Sequence, residues 1–362
     1  MPNKTFFTVG PTELFPEVKK IYQEALKKKI FSISHRSLEF SSIFNLTVNN
    51  LKKLLNIPKD FNVFFLSSAT ECMERIIQNL VLNKSFHYDN GFFAERFFNI
   101  SVQYNKSAEK FSSQYGTGTD FKNIKLPENT ELLCIVLNET STGVALNIND
   151  IKRFKQKNPD VILALDIVTA VPYYKIDFRY IDCAFFSVQK GFGMPPGLGV
   201  LILNEKCIKK AEEINKSGIS IGSYNNFLKL KENFLKNQTT ITPNIPLIYI
   251  LGKISDFLLN YGIDKIRNET EKKAELLYNY FDEHNFIKPF VKEEKFRSKT
   301  TITLQTEIES DKIIKTLSRN GFVISYGYNI FKNKHIRIGN FPMHRIEDVR
   351  KLIKLFHSIK LD

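Results

Sequence analysis

The sequence predicts an α/β protein: a large domain on a parallel or mostly parallel sheet flanked by helices, then a smaller α+β C-terminal domain. Three observations lead there. Short apolar runs of strand length (FNVFFL, LLCIVLN, VILALDIV, CAFFSV, LGVLIL) alternate with stretches of helical period. After Gly199-Val200 the pattern changes to two long helical stretches followed by the strand-rich segments TTITLQ, GFVISYG and HIRIGN, which places a domain boundary near residue 255. A chain of 362 residues, 43% hydrophobic and 25% charged, can bury the cores of two globular domains. The expected division is 16–255 and 256–362.

Taken in order, a helix is expected over about Pro16 to Lys29, and a second over SLEFSSIFNLTVNNLKKLLN as far as the breaker Pro58. FNVFFL then reads as a buried strand and ATECMERIIQNLVL as the helix after it. The runs at LLCIVLN, VILALDIV and CAFFSV are further strands, and LGVLIL returns after the turn GFGMPPG. IPLIYILGKISDFLLNYG and DKIRNETEKKAELLYNYFDEHN supply the two long helices. No internal repeat or low-complexity linker interrupts this order.

Composition narrows the classes of function. The longest apolar runs are too short to span a bilayer, so no membrane association is expected. MPNKTFFTVGPTELFPEV lacks a long apolar run before a small-residue cleavage site, which favours a cytoplasmic protein. The four cysteines (Cys72, Cys134, Cys183, Cys207) form no CxxC pair and read as reduced, buried thiols. The six histidines show no HxxxH or HExxH spacing, so no metal is expected. The formal charge of +14 allows a non-catalytic basic binding protein as an alternative. The basic residues are dispersed, however, and no nucleic-acid motif accompanies them; attraction of small anions is the better use of the charge.

In open α/β sheets ligands sit at strand ends, and three strand ends here carry chemistry. Ser67-Ser68-Ala69-Thr70 follows FNVFFL and opens a helix, whose free amides and neighbouring hydroxyls suit a phosphate. Simple N-capping by Ser or Thr would give the same residues. Asp166 ends the run VILAL, where a buried carboxylate calls for a cationic partner. Lys190 stands between CAFFSV and the Gly/Pro-rich turn; desolvation there lowers its pKa and makes it a candidate nucleophile or base. A phosphate anchor, a carboxylate for a ring nitrogen and a lysine for the aldehyde are the needs of pyridoxal 5'-phosphate. GFGMPPG is no dinucleotide fingerprint, because Pro195-Pro196 and a strand follow where that motif needs a helix.

SHRSLEF (Ser34 to Phe40), LLNIPKDFNVFFL, NETSTGV (Asn138 to Val144), LDIVTA and QKGFGMPPGLGV resemble, in order and across nearly the whole chain, the class V, fold-type I aminotransferases. The nearest resemblance is to the phosphoserine-transaminating branch. It implies a seven-stranded-type sheet, bound pyridoxal phosphate, small amino-acid and 2-oxo-acid substrates, and a homodimer with shared active sites. The segment 1–15 would pack near the site. Lys190 would carry the cofactor, Asp166 would pair its ring nitrogen, and Ser68, Ala69, Thr70 and Gln189 would hold its phosphate. Phe93 would stack on the ring, and Thr140 would approach the phenolic oxygen. Thr242 would reach the phosphate from the neighbouring subunit. His35 and Arg36 would cross the interface towards the acidic end of a substrate such as phosphoserine or glutamate. Arg337 would clamp the α-carboxylate through its planar fork.

Two positions depart from that branch. Glu71 stands where an arginine is expected, and Ile241 where an asparagine often precedes the threonine. Both leave room for the alanine–glyoxylate and serine–pyruvate type, whose phosphate cup is closer to SSATECME.

Overall fold

The computed structural model describes residues 4–357 and Ile359. A seven-stranded sheet runs in the spatial order Asn62–Leu66, Gly199–Leu203, Cys183–Ser187, Ile162–Asp166, Leu132–Val136, Lys84–Asp89, Ser107–Ser112. Gly199–Leu203 is antiparallel to both its neighbours, and the other pairings are parallel. Five of these strands are buried along their full length, as continuous apolar runs require in a sheet covered on both faces.

A second sheet has the order Thr5–Phe7, Phe322–Tyr326, His335–Gly339, Thr301–Thr306, Ile287–Pro289. Its core draws on Ala274, Leu277 and Phe281 of the helix Ile263–Glu283 and on Val349, Leu352 and Phe356 of the helix Ile346–Phe356. The first strand of the chain therefore belongs to the C-terminal sheet. Residues 8–15 then pass back to the large sheet, where the Thr12 amide donates to the Gln189 carbonyl at 3.2 Å. The boundary expected near residue 255 falls inside the helix Ile245–Tyr261, whose Leu258 packs in the core of the large sheet.

Several elements escape the apolar pattern. Lys84–Asp89 reads KSFHYD, yet Ser85 and His87 are buried, joined by a hydroxyl–imidazole contact of 2.9 Å from Ser85 Oγ to His87 Nε2, with Ser101 Oγ at 2.8 Å from Ser85 Oγ. Ser107–Ser112 is an edge strand, mostly exposed, and needs no apolar run. All four cysteines are free and buried, and burial raises each thiol pKa. No helix among the described residues is long and apolar enough to cross a membrane, and no group of three His, Cys, Asp or Glu there could hold a metal ion.

Candidate active site

The register of the large sheet brings the distant motifs together. Gly199 pairs with both Leu66 and Ser187, so the cup after Leu66 and the lysine after Ser187 open at one edge of the sheet. Asp166 ends the next strand at that edge, paired with Val136 and Phe185. The approach is tight: a Cβ at position 199 would lie 2.5 Å from the carbonyl carbon of Ser68, so only glycine allows the cup to sit there.

The cup opens the helix Ala69–Leu80. Ser68 is its N-cap and accepts from the Glu71 amide at 3.1 Å. The Ala69 and Thr70 amides have no acceptor among the described residues, and Gln189 Oε1 is buried without a donor. Glu71 turns back: Oε2 accepts from the Ser67 amide (2.8 Å) and hydroxyl (2.6 Å), and Oε1 from Asn225 Nδ2 (2.8 Å). The carboxylate in place of the expected arginine therefore ties the helix start to Ser67, the residue before the N-cap, and to Asn225. Glu71→Ala should lower folding stability by about 1–2 kcal/mol, measured by chemical denaturation. A change in substrate preference without loss of stability would contradict this role.

Lys190 is 8% exposed, and its Nζ has no hydrogen-bond partner among the described residues. Burial and the charge of Arg337 lower its pKa to about 8. The ammonium lies 5.7 Å from the centroid of the Phe93 ring. Gly10, at φ +143°, packs directly on the lysine side chain. Asp166 is 4% exposed; Oδ1 accepts from the Val168 amide at 2.8 Å, while Oδ2 has no hydrogen-bond partner among the described residues. The expected cation does not bond to it, and burial drives its pKa up to about 7. A protonated ring nitrogen would supply the missing charge.

Arg337 donates from Nε to the Tyr326 carbonyl (2.9 Å) and from Nη1 to the Thr140 carbonyl (3.0 Å). Its guanidinium lies 5.5 Å from the Tyr328 ring, which in turn lies 5.3 Å from Phe93. Burial lowers its pKa to about 10. Thr140 Oγ1 donates to Thr169 Oγ1 (3.2 Å), which also accepts from Asn138 Nδ2 (2.7 Å).

His35, Arg36 and Thr242 form a separate cluster within the subunit. Thr242 Oγ1 lies 3.4 Å from His35 Nδ1. Arg36 donates to Asn233 Oδ1 (2.9 Å), Gln238 Oε1 (2.7 Å) and the Thr240 carbonyl (3.3 Å). Thr242 also lines a cavity of about 210 Å³ with Ser67 and Glu71. Sequence reasoning missed Asn138, Glu139, Thr169 and Tyr328. The first two lie in the quoted NETSTGV, where an acidic residue among small polar ones was a usable signal; Tyr328 sits in a loop with none.

The lysine, the carboxylate oxygen and the open amides, gathered at one edge of a mostly parallel sheet, are the groups that pyridoxal phosphate requires. Comparison with known proteins gives the family. The description "Aminotransferase class-V" matches residues 100–352. The chain is 41% identical to a phosphoserine aminotransferase from Cytophaga hutchinsonii, over 99% of both chains and with a TM-score of 0.97. It is 26% identical to a putative phosphoserine aminotransferase of Mycobacterium avium (strain 104), covering 97% of this chain and 93% of the relative. An alanine–glyoxylate aminotransferase from Nostoc sp. shares the fold at TM-score 0.80 and 18% identity, over 99% of this chain and 95% of that one. The chain belongs to the class-V aminotransferase family and is a pyridoxal-phosphate-dependent aminotransferase.

Proposed function

We propose that this chain is a phosphoserine:2-oxoglutarate aminotransferase of serine biosynthesis, cytoplasmic and homodimeric, with active sites shared between subunits. The observation that carries the substrate reading is Arg36. It bonds only to neutral amide and carbonyl oxygens and has no ion pair among the described residues; the exposed Glu232 carboxylate feels its charge without bonding to it, so the guanidinium can still pair with an acidic substrate. Large apolar side chains near it in sequence or space are exposed: Leu38 by 88%, Leu235 by 72% and Ile241 by 47%. A second copy of the chain covering them would bring His35, Arg36 and Thr242 to its own site.

Bound pyridoxal phosphate supplies an aldehyde for the amino group and a ring that takes up the electron pair released at Cα. The amides of Ala69 and Thr70, with Ser68 and Gln189, anchor the phosphate. Phe93 covers the ring and Thr140 faces its oxygen. Asp166 holds a proton at the ring nitrogen against its free Oδ2. Lys190, near neutrality in its buried setting, would take the proton from Cα and return it to the cofactor's C4′, two atoms along. Arg337 fixes the α-carboxylate, and with it the orientation of the Cα–H bond. We place cofactor binding in a domain of residues 16–255 and Arg337 in a domain of residues 256–362, with the segment 1–15 lying on the site.

Glu71 favours a second reading, an alanine–glyoxylate or serine–pyruvate enzyme, because the cup lacks an arginine for a distal phosphate. A substrate panel separates the two. Arg36→Ala should weaken kcat/KM for phosphoserine and glutamate by about 30- to 1000-fold, the loss of about 2–4 kcal/mol of charge-assisted contact, while sparing alanine. Arg337→Ala should damage all three. Wild-type protein that uses alanine and glyoxylate but ignores phosphoserine would establish the second reading. Mixed Lys190→Ala and Arg36→Ala subunits should recover activity, because one site of each heterodimer is then intact. Subunit exchange without recovery would contradict shared sites.

A further inference from the structure

Glu139 is fully buried and has no ion pair among the described residues, although burying a carboxylate is costly. Its partners are instead the start of a helix. Oε2 accepts from the amides of Phe93 (3.2 Å) and Ala94 (3.1 Å), and Oε1 from the Ser141 amide (2.9 Å) and hydroxyl (2.6 Å). Ser141 Oγ then accepts from the Phe92 amide at 3.1 Å. The first three amides of the helix Phe92–Gln103, which no intrahelical carbonyl can serve, all end on this one turn. The helix has no side-chain cap of its own: Gly91 precedes it, and a Cβ there would lie 2.4 Å from Glu139 Cγ.

The same turn reaches the opposite side of the site. Thr140, between the two anchoring residues, presents the carbonyl that receives Nη1 of Arg337. The carboxylate also balances charge: with Asp166 it gives two potential anions beside two cations, Lys190 and Arg337, and each of these three groups feels it. The helix start favours a negative charge as well.

We propose that Glu139 is a positioning residue: one buried carboxylate fixes the backbone of Phe93, and so the ring that covers the cofactor, and the turn whose carbonyl aims Arg337. This rests on the reading in which Phe93 and Arg337 flank the bound cofactor. Glu139→Gln keeps the size and one acceptor oxygen but sets an N–H₂ against N–H donors. The protein loaded with pyridoxal phosphate should then lose at least about half of its visible circular dichroism and bind the cofactor about tenfold more weakly. Ser141→Ala, a milder change, should shift both in the same direction by less. In a Phe93→Ala background Glu139→Gln should add little further, since the two act through one ring. The proposal is overturned if folded Glu139→Gln protein keeps the wild-type dichroism and affinity, or if its effect adds in full to that of Phe93→Ala. These readouts use no substrate, so a wrong substrate assignment leaves them intact. Wild-type protein without a visible band would overturn both this proposal and the cofactor site.

Discussion

Lys190→Ala should reduce amino-group transfer by about 100- to 10,000-fold, the range for removing a positioned acid–base group. The folded state should survive. Lys190 makes no hydrogen bond that its removal would orphan, and its buried ammonium is a cost to the native state. Its native pKa of about 8 lies below the ordinary lysine value, so the native state binds fewer protons than the unfolded chain. Lys190 should therefore add to apoprotein stability as pH rises from about 8 to about 10.5; buried Lys273, with its pKa lowered to about 7, adds in the same direction, so the Lys190→Ala variant should show a smaller slope than wild type across this window. Denaturation midpoints across this window measure it. A variant with the wild-type slope would show that the lysine is not desolvated.

Asp166→Asn should cost a comparable factor in turnover while stabilising the apoprotein. The amide oxygen can still accept from the Val168 amide, yet it carries no charge to hold a proton at the ring nitrogen. Burial raises the Asp166 pKa to about 7, above its unfolded value. Its contribution to stability is therefore full below about pH 4 and lost as pH rises through 7. The substitution removes that loss, and at pH 8 the variant should be more stable by about 1–3 kcal/mol. Cofactor affinity should fall less than turnover, because the phosphate cup is untouched. Turnover near the wild-type value would contradict the role given to Asp166, and so would an unchanged apoprotein stability.

The parts of the molecule that could be read in advance are those where one physical demand acts alone. Strands buried on both faces must be apolar throughout, so FNVFFL, VILAL and CAFFSV were visible, and with them the positions of Ser68, Asp166 and Lys190 just beyond their ends. KSFHYD was not, because Ser85 and His87 pair through one contact inside the sheet and break the apolar run. The edge strand Ser107–Ser112 faces solvent and carries no pattern. Glu71 illustrates a different limit. From sequence its charge spoke only to substrate binding, whereas its carboxylate is occupied by Ser67 and Asn225, a partner far along the chain. Glu139 and Tyr328 likewise take their meaning from the crossing of the 138–145 turn, the Phe92–Gln103 helix and the Arg337 strand. The sequence asked for a cation beside Asp166, and no side chain of the described residues bonds to its free oxygen, so the partner has to come from a bound group.

The most direct test of the account is to load the protein with pyridoxal phosphate, reduce it with borohydride, digest it and map the modified peptide by mass. The account predicts one pyridoxyl group per chain, on Lys190 in the peptide containing SVQKGFGMPPG, and none in the Lys190→Ala variant. A reduced adduct on any other lysine, or an equal yield from Lys190→Ala, would contradict it.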